Sequence, residues 1–108
     1  MKLLLDENLP TKLKMSFSVD HEVFTVKDVN WIGVKNGELL ERMKGADFDA
    51  LITIDKNLGY QQNIKLHGLK VYVLNAVNNK LSTLTPFVAR LEEIMSEEGG
   101  AVIVVVDL

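Results

Sequence analysis

Lys2-Leu3-Leu4-Leu5-Asp6-Glu7-Asn8 is the stretch on which the reading of the whole chain turns. A short unbroken apolar run stops abruptly at two acids and an amide. Such a run has no polar alternation, so it reads as a strand buried on both faces, as strands of parallel sheets are. The pattern recurs. Ala50–Ile54 ends at Asp55, Val71–Leu74 ends at Asn75, and Ala101–Val106 ends at Asp107, while Glu22–Val26 is a β-branched and aromatic strand. Helical signals fall between these runs. Asn8 and Pro10 offer an N-cap and an early-turn proline for a helix through about Met15. Asp28–Gly33 reads as a loop or a single helical turn. Asn36-Gly37 opens a helix from Glu38 to about Lys44, with Leu39, Leu40 and Met43 on one face and Gly45 as its stop. Lys56–Leu66 reads as a turn and a short helix. Thr85-Pro86 starts the clearest helix, in which Phe87, Val88, Leu91, Ile94 and Met95 form one stripe before Gly99-Gly100 ends it. Strands alternating with helices predict an α/β fold whose mostly parallel sheet of about five strands is joined by right-handed crossovers and covered on both faces. The segment between Asp55 and Val71 has room only for a turn and a short crossover helix. The fourth strand is therefore expected to run parallel to the first and third.

The chain has 108 residues, enough for one domain spanning 1–108. Hydrophobic residues make up 47% and charged residues 25%, the balance of a soluble globular protein rather than a disordered one. Twelve Lys and Arg against fifteen Asp and Glu leave a net charge of −3. That excludes coating of nucleic acid through bulk positive charge but leaves room for a local basic rim. With no cysteine there is no disulfide scaffold, thiolate metal site or thiol nucleophile. No apolar run reaches the roughly 18 residues of a membrane span, and acids follow Met1 too soon for a secretory leader. A cytoplasmic location is expected.

In an open parallel sheet, ligands bind beyond the carboxyl ends of the strands. Those positions are unusually acidic here: Asp6 and Glu7 after the first strand, Asp55 after the third, Asp107 after the last. Glu38 sits in a first helical turn, where the helix dipole favours a carboxylate. Grouped carboxylates raise one another's pKa unless a cation neutralises them. Oxygen ligands without Cys or clustered His suit Mg²⁺ or Mn²⁺ rather than Zn²⁺. For Asp6 with Asp55 a shared site outweighs separate turn roles; for Glu7 and Asp107 solvent or turn roles suffice. Asn57, two residues past Asp55, offers a neutral carbonyl to the same cleft or caps the next helix. Tyr60-Gln61-Gln62-Asn63 reads either as a surface for stacking and hydrogen bonding to a nucleotide or as ordinary helix polarity. Lys12, Lys14, Lys35, Lys56 and Lys65 are candidates for a phosphate-holding rim, against the plain reading of solvated surface. His21 and His67 lack partners at metal-ligand spacing, and Trp31-Ile32-Gly33 reads as an apolar anchor under a loop. There is no phosphate-binding glycine loop and no local support for a serine triad.

These residues resemble a family. Leu4-Leu5-Asp6-Glu7-Asn8-Leu9-Pro10, His21-Glu22-Val23, Trp31 through Leu40, Phe48-Asp49, Thr53 through Leu58 and Tyr60 through Asn63 fall in the order found in the PIN-like family of small bacterial and archaeal proteins. These are described as toxins of type II toxin–antitoxin systems, and the match covers about the first two-thirds of the chain. The resemblance implies a three-layer PIN-like fold and a metal-dependent ribonuclease site. Asp6, Glu38 and Asp55 would be the catalytic acids and ligands to Mg²⁺ or Mn²⁺, with Asn57 as a further metal ligand. On the residue reading above, Lys35, Lys56, Tyr60 and Gln61 would contact RNA. The implied partners are an RNA substrate and a cognate antitoxin covering the acidic edge; the sequence leaves the oligomeric state, a homodimer included, open. Many relatives carry Asp-x-Asp-Phe where this chain has Asp55-Lys56-Asn57-Leu58, and an acid where it has Asn36.

Three functions compete on this reading. The leading one is phosphodiester hydrolysis of RNA by metal-activated water. The second keeps the fold as a catalytically weak or inactive binding or regulatory module, marked by Asn57. The third is a phospho-acceptor receiver domain, suggested by Asp6, Glu7 and Asp55. That role expects a hydroxyl residue after the fourth strand and a lysine after the fifth, where this chain has Asn75 and Asp107.

Overall fold

The computed structural model describes residues 1–56, 64, 67–97 and 102–108. The buried apolar runs form strands β1 (Lys2–Leu5), β2 (Glu22–Thr25), β3 (Ala50–Thr53), β4 (Lys70–Leu74) and β5 (Ile103–Val106). They lie in one sheet of order β2-β1-β3-β4-β5. Every pairing is parallel, including β3 with β4. Helices α1 (Asn36–Gly45) and α2 (Leu81–Ser96) and a 3-10 helix at Thr11–Ser16 complete the α/β arrangement. No helix among the described residues is long and apolar enough to cross a membrane.

Side-chain alternation explains why the strands are apolar throughout. Leu3, Leu5, Ile52, Tyr72 and Leu74 face one side of the sheet, where Leu13 of the 3-10 helix and Leu84, Phe87, Val88 and Leu91 of α2 cover them. Leu4, Leu51, Val71 and Val73 face the other side, against Leu39, Leu40 and Met43 of α1 and Ile64. Each fully buried Leu contributes about 1.5–3 kcal/mol relative to leaving it exposed. Phe48 closes the α1 side edge-to-face with Phe24 (5.7 Å) and Trp31 (5.8 Å), so Trp31 does anchor its loop.

Two elements differ from what the sequence predicts. The segment after Pro10 is a 3-10 helix with no side-chain cap, and it buries only Leu13. With one apolar anchor, it gains little from a longer amphipathic helix. Helix α2 starts at Leu81, a turn before Thr85-Pro86, because Leu84 is fully buried and joins the stripe at the i−3 position from Phe87. Pro86 therefore lies inside the helix. The Thr85 hydroxyl bonds back to Leu81 O at 2.7 Å in the same turn. The expected helix in Lys56–Leu66 and the Gly99-Gly100 stop lie largely outside the described residues.

Candidate functional site at the carboxyl ends of β1 and β3

The strand order creates the site. From β1 the chain moves outward to β2 on one side, while β3, β4 and β5 extend on the other. The connections thus diverge between β1 and β3, and a crevice at such a switch point is where open α/β sheets bind ligands. Leu5 pairs with Ile52, and the Asp6 N–H continues the ladder to Ile52 O at 2.9 Å. Asp6 therefore stands beside Thr53, and alternation puts both on the α1 side of the sheet.

Thr53 joins the groups at this crevice. It is fully buried, and with Thr25 is one of two buried polar residues among the described residues. Its hydroxyl donates to Asp6 Oδ2 at 2.8 Å and accepts from the Asp55 N–H at 3.0 Å. With its one proton committed to Asp6, Thr53 can only accept from Asn8, whose Nδ2 lies at 3.3 Å. That orientation leaves Asn8 Oδ1 buried with no hydrogen-bond partner. The other Asp6 oxygen, Oδ1, accepts from the Glu7 N–H at 2.9 Å.

Burial pushes the Asp6 carboxyl above its ordinary value. The hydrogen bonds from Thr53 and the Glu7 N–H oppose the rise, and the charges of Glu7 and Asp55 add to it. No Lys, Arg or His forms an ion pair with Asp6 among the described residues. The donors gathered here are all oxygen: the Asp6 carboxylate, the orphaned Asn8 carbonyl and the nearby Asp55 carboxylate. Such a set fits a hard cation. A cavity of about 160 Å³ opens beside it, walled by Asp6, Glu7, Leu9, Val26 and Ile32 among others.

The expected convergence of Asp6, Glu38 and Asp55 is only partly met. Asp6 and Asp55 share the crevice. Glu38 reaches the same edge of the sheet, because α1 must begin there to return the chain to the start of β3. Its side chain, however, is 60% exposed and lies 3.6 Å from Arg42 Nη2. An i,i+4 partner in solvent competes for it. Among the described residues, no three His, Asp or Glu side chains are placed to hold an ion together. Lys35 precedes α1 as its N-cap residue, and Lys56 follows Asp55; both are exposed. Asn57, Tyr60 and Gln61 lie outside the described residues, as does Lys65.

Other candidates resolve into structural roles. Asp107 accepts from Asn75 Nδ2 at 2.6 Å, tying together the ends of β4 and β5. His21, at the amino end of β2, lies 3.6 Å from Glu92 on α2. Asn8 does not cap the following helix, which has no side-chain cap. No site role for Thr53 is legible in the sequence, since a Thr inside a β-branched run looks like ordinary strand composition. The parity it shares with Asp6 could be seen only once the β1–β3 register was known. Compared with family models, curated proteins and solved structures, the chain has no match.

Proposed function

We propose that this chain is a PIN-like, Mg²⁺- or Mn²⁺-dependent ribonuclease acting as the toxin of a toxin–antitoxin pair. One observation carries the reading. Asp6, partly buried at the switch point, has its carboxyl pushed up, no cationic partner among the described residues, and Asp55 nearby. A carboxylate kept in that setting works against stability, and a bound cation would relieve it. In this role Asp6 and Asp55 hold the cation, Asn8 Oδ1 adds a neutral ligand, and Thr53 fixes how the Asp6 carboxylate points. Glu38 joins only by turning away from Arg42. When bound, the cation supplies Lewis acidity, neutralising charge on the phosphate and activating water. The second reading, a weak or inactive binding module, draws on the outward Glu38 and on Asn57. The receiver reading lacks its hydroxyl and lysine, since Asn75 and Asp107 occupy those strand ends and bond to each other.

Thermal unfolding with and without Mn²⁺ separates these readings, followed by RNA cleavage. At a concentration 100-fold above Kd, linkage adds about 2.7 kcal/mol, or roughly 10–20 °C for a domain of this size. The parent should show such a shift and Asp6→Asn should not. A Mn²⁺ shift without cleavage would favour the binding module, and equal shifts in both proteins would remove the cation site altogether.

A further inference from the structure

The Asp6 cavity does not end at the acids. It continues into an open groove of about 440 Å³, and the two share Thr11, Thr25 and Lys27 as walls. The charged residues of the groove are Lys12, Lys14, Lys27 and Asp28. Three positive charges against one negative leave +2 locally, on a chain whose net charge is −3. We infer that the phosphate backbone of the substrate strand lies in this groove, between the 3-10 helix and the end of β2, and leads from there to Asp6. The inference rests on the nuclease reading above and places its substrate on residues that reading does not use.

Electrostatics favours such an arrangement. The acidic crevice repels a polyanion, so attraction has to come from charge set to one side of it. A concave wall of one sign concentrates the field and raises the local concentration of an oppositely charged strand. The lysines are not equivalent. Lys14 is held by Asp28 at 2.9 Å. The same Asp28 oxygen accepts the Thr25 N–H at 2.9 Å, which fixes the acid at the mouth of the groove. Lys12 and Lys27 are exposed and form no ion pair among the described residues. These two therefore provide most of the available charge, and Asp28 restrains the third.

The test is binding of a fluorescein-labelled short single-stranded RNA to the full chain, in EDTA, across a salt series. Each lysine–phosphate contact contributes about 0.7 to the slope of log affinity against log salt for a single strand. Lys12→Gln/Lys27→Gln should lower the slope by about 1.4, so that between 50 and 200 mM salt the parent loses roughly 7-fold more affinity than the variant. Asp28→Asn should act in the opposite direction, freeing Lys14 and steepening the slope by about 0.7. Lys44→Gln/Arg90→Gln removes the same charge elsewhere and should leave the slope at the parent value. A double lysine variant with the parent's slope, or a parent that does not bind the RNA at low salt, overturns the inference. Asp6→Asn separates the two proposals. If its RNA binding still depends on Lys12 and Lys27 but its Mn²⁺ response equals the parent's, the groove stands and the nuclease reading falls.

Discussion

Thr53→Val is the substitution that asks most of this structure, because it removes one oxygen and almost no volume. The hydroxyl donates to an ionised carboxylate at 2.8 Å, and a hydrogen bond to a charged group contributes about 1.5–3 kcal/mol. Its loss also strands the Asp55 N–H and the Asn8 amide, which it accepts at 3.0 and 3.3 Å. A buried donor left unpaired costs about 1–3 kcal/mol. Relief comes from burying a methyl in place of a hydroxyl and from the exposure of Asp55, which lets water reach its backbone. The net expectation is a loss of about 2 kcal/mol at neutral pH, which lowers Tm by roughly 8–16 °C. Thr53→Ser keeps the hydroxyl and should recover most of that loss. The pH dependence identifies the mechanism. Once Asp6 is protonated its bond with Thr53 becomes neutral, so the penalty should shrink toward about 1 kcal/mol in acid. Chemical denaturation of the three proteins at pH 7 and in acid measures all of this. A Thr53→Val protein within about 0.5 kcal/mol of the parent, or a penalty constant with pH, would refute the assigned network.

Further outcomes follow from the same geometry. Asp6 binds its proton more tightly folded than unfolded, so its contribution to stability falls as pH rises from the ordinary carboxylate value of 3.8 through its raised one. Asp6→Asn should accordingly raise the neutral-pH stability of the metal-free protein and flatten its stability–pH curve over that window; a lower Tm at pH 7 would contradict this. Asn57→Asp places a carboxylate two residues beyond Asp55. It should enlarge the Mn²⁺-induced Tm shift while slightly lowering metal-free stability through repulsion. Leu40→Ala empties a fully buried position under α1, and denaturant titration should show a loss of about 2–5 kcal/mol with RNA affinity at the lysine groove little changed.

Much of this architecture was written locally. Leu3-Leu4-Leu5 and Ala50-Leu51-Ile52 need no distant information to be strands buried on both faces, because only a covered sheet hides side chains on alternating sides. The alternation with helical stripes then made the sheet parallel, and the acids just past the strands marked one edge of it. Boundaries were less legible: helix α2 runs back to Leu81 because Leu84 finds a core position, which outweighs the proline signal at Pro86. What only the tertiary structure decided was proximity. The divergence of the chain on either side of β1 and β3 is a matter of strand order, and strand order depends on which crossovers pack best, not on any residue near the site. It brings Thr53 under Asp6 and turns Asn8 toward them across a sequence separation of 45 residues. It also sets Lys12 and Lys27, from two different elements, along one groove. Glu38 shows the limit of local reading, since its place in a first helical turn fixed its edge of the sheet while a neighbour one turn along, Arg42, took its side chain. Secondary structure follows from the near neighbours of each residue, whereas a site is made where side chains far apart in the chain share one small volume, and that depends on how the whole core packs.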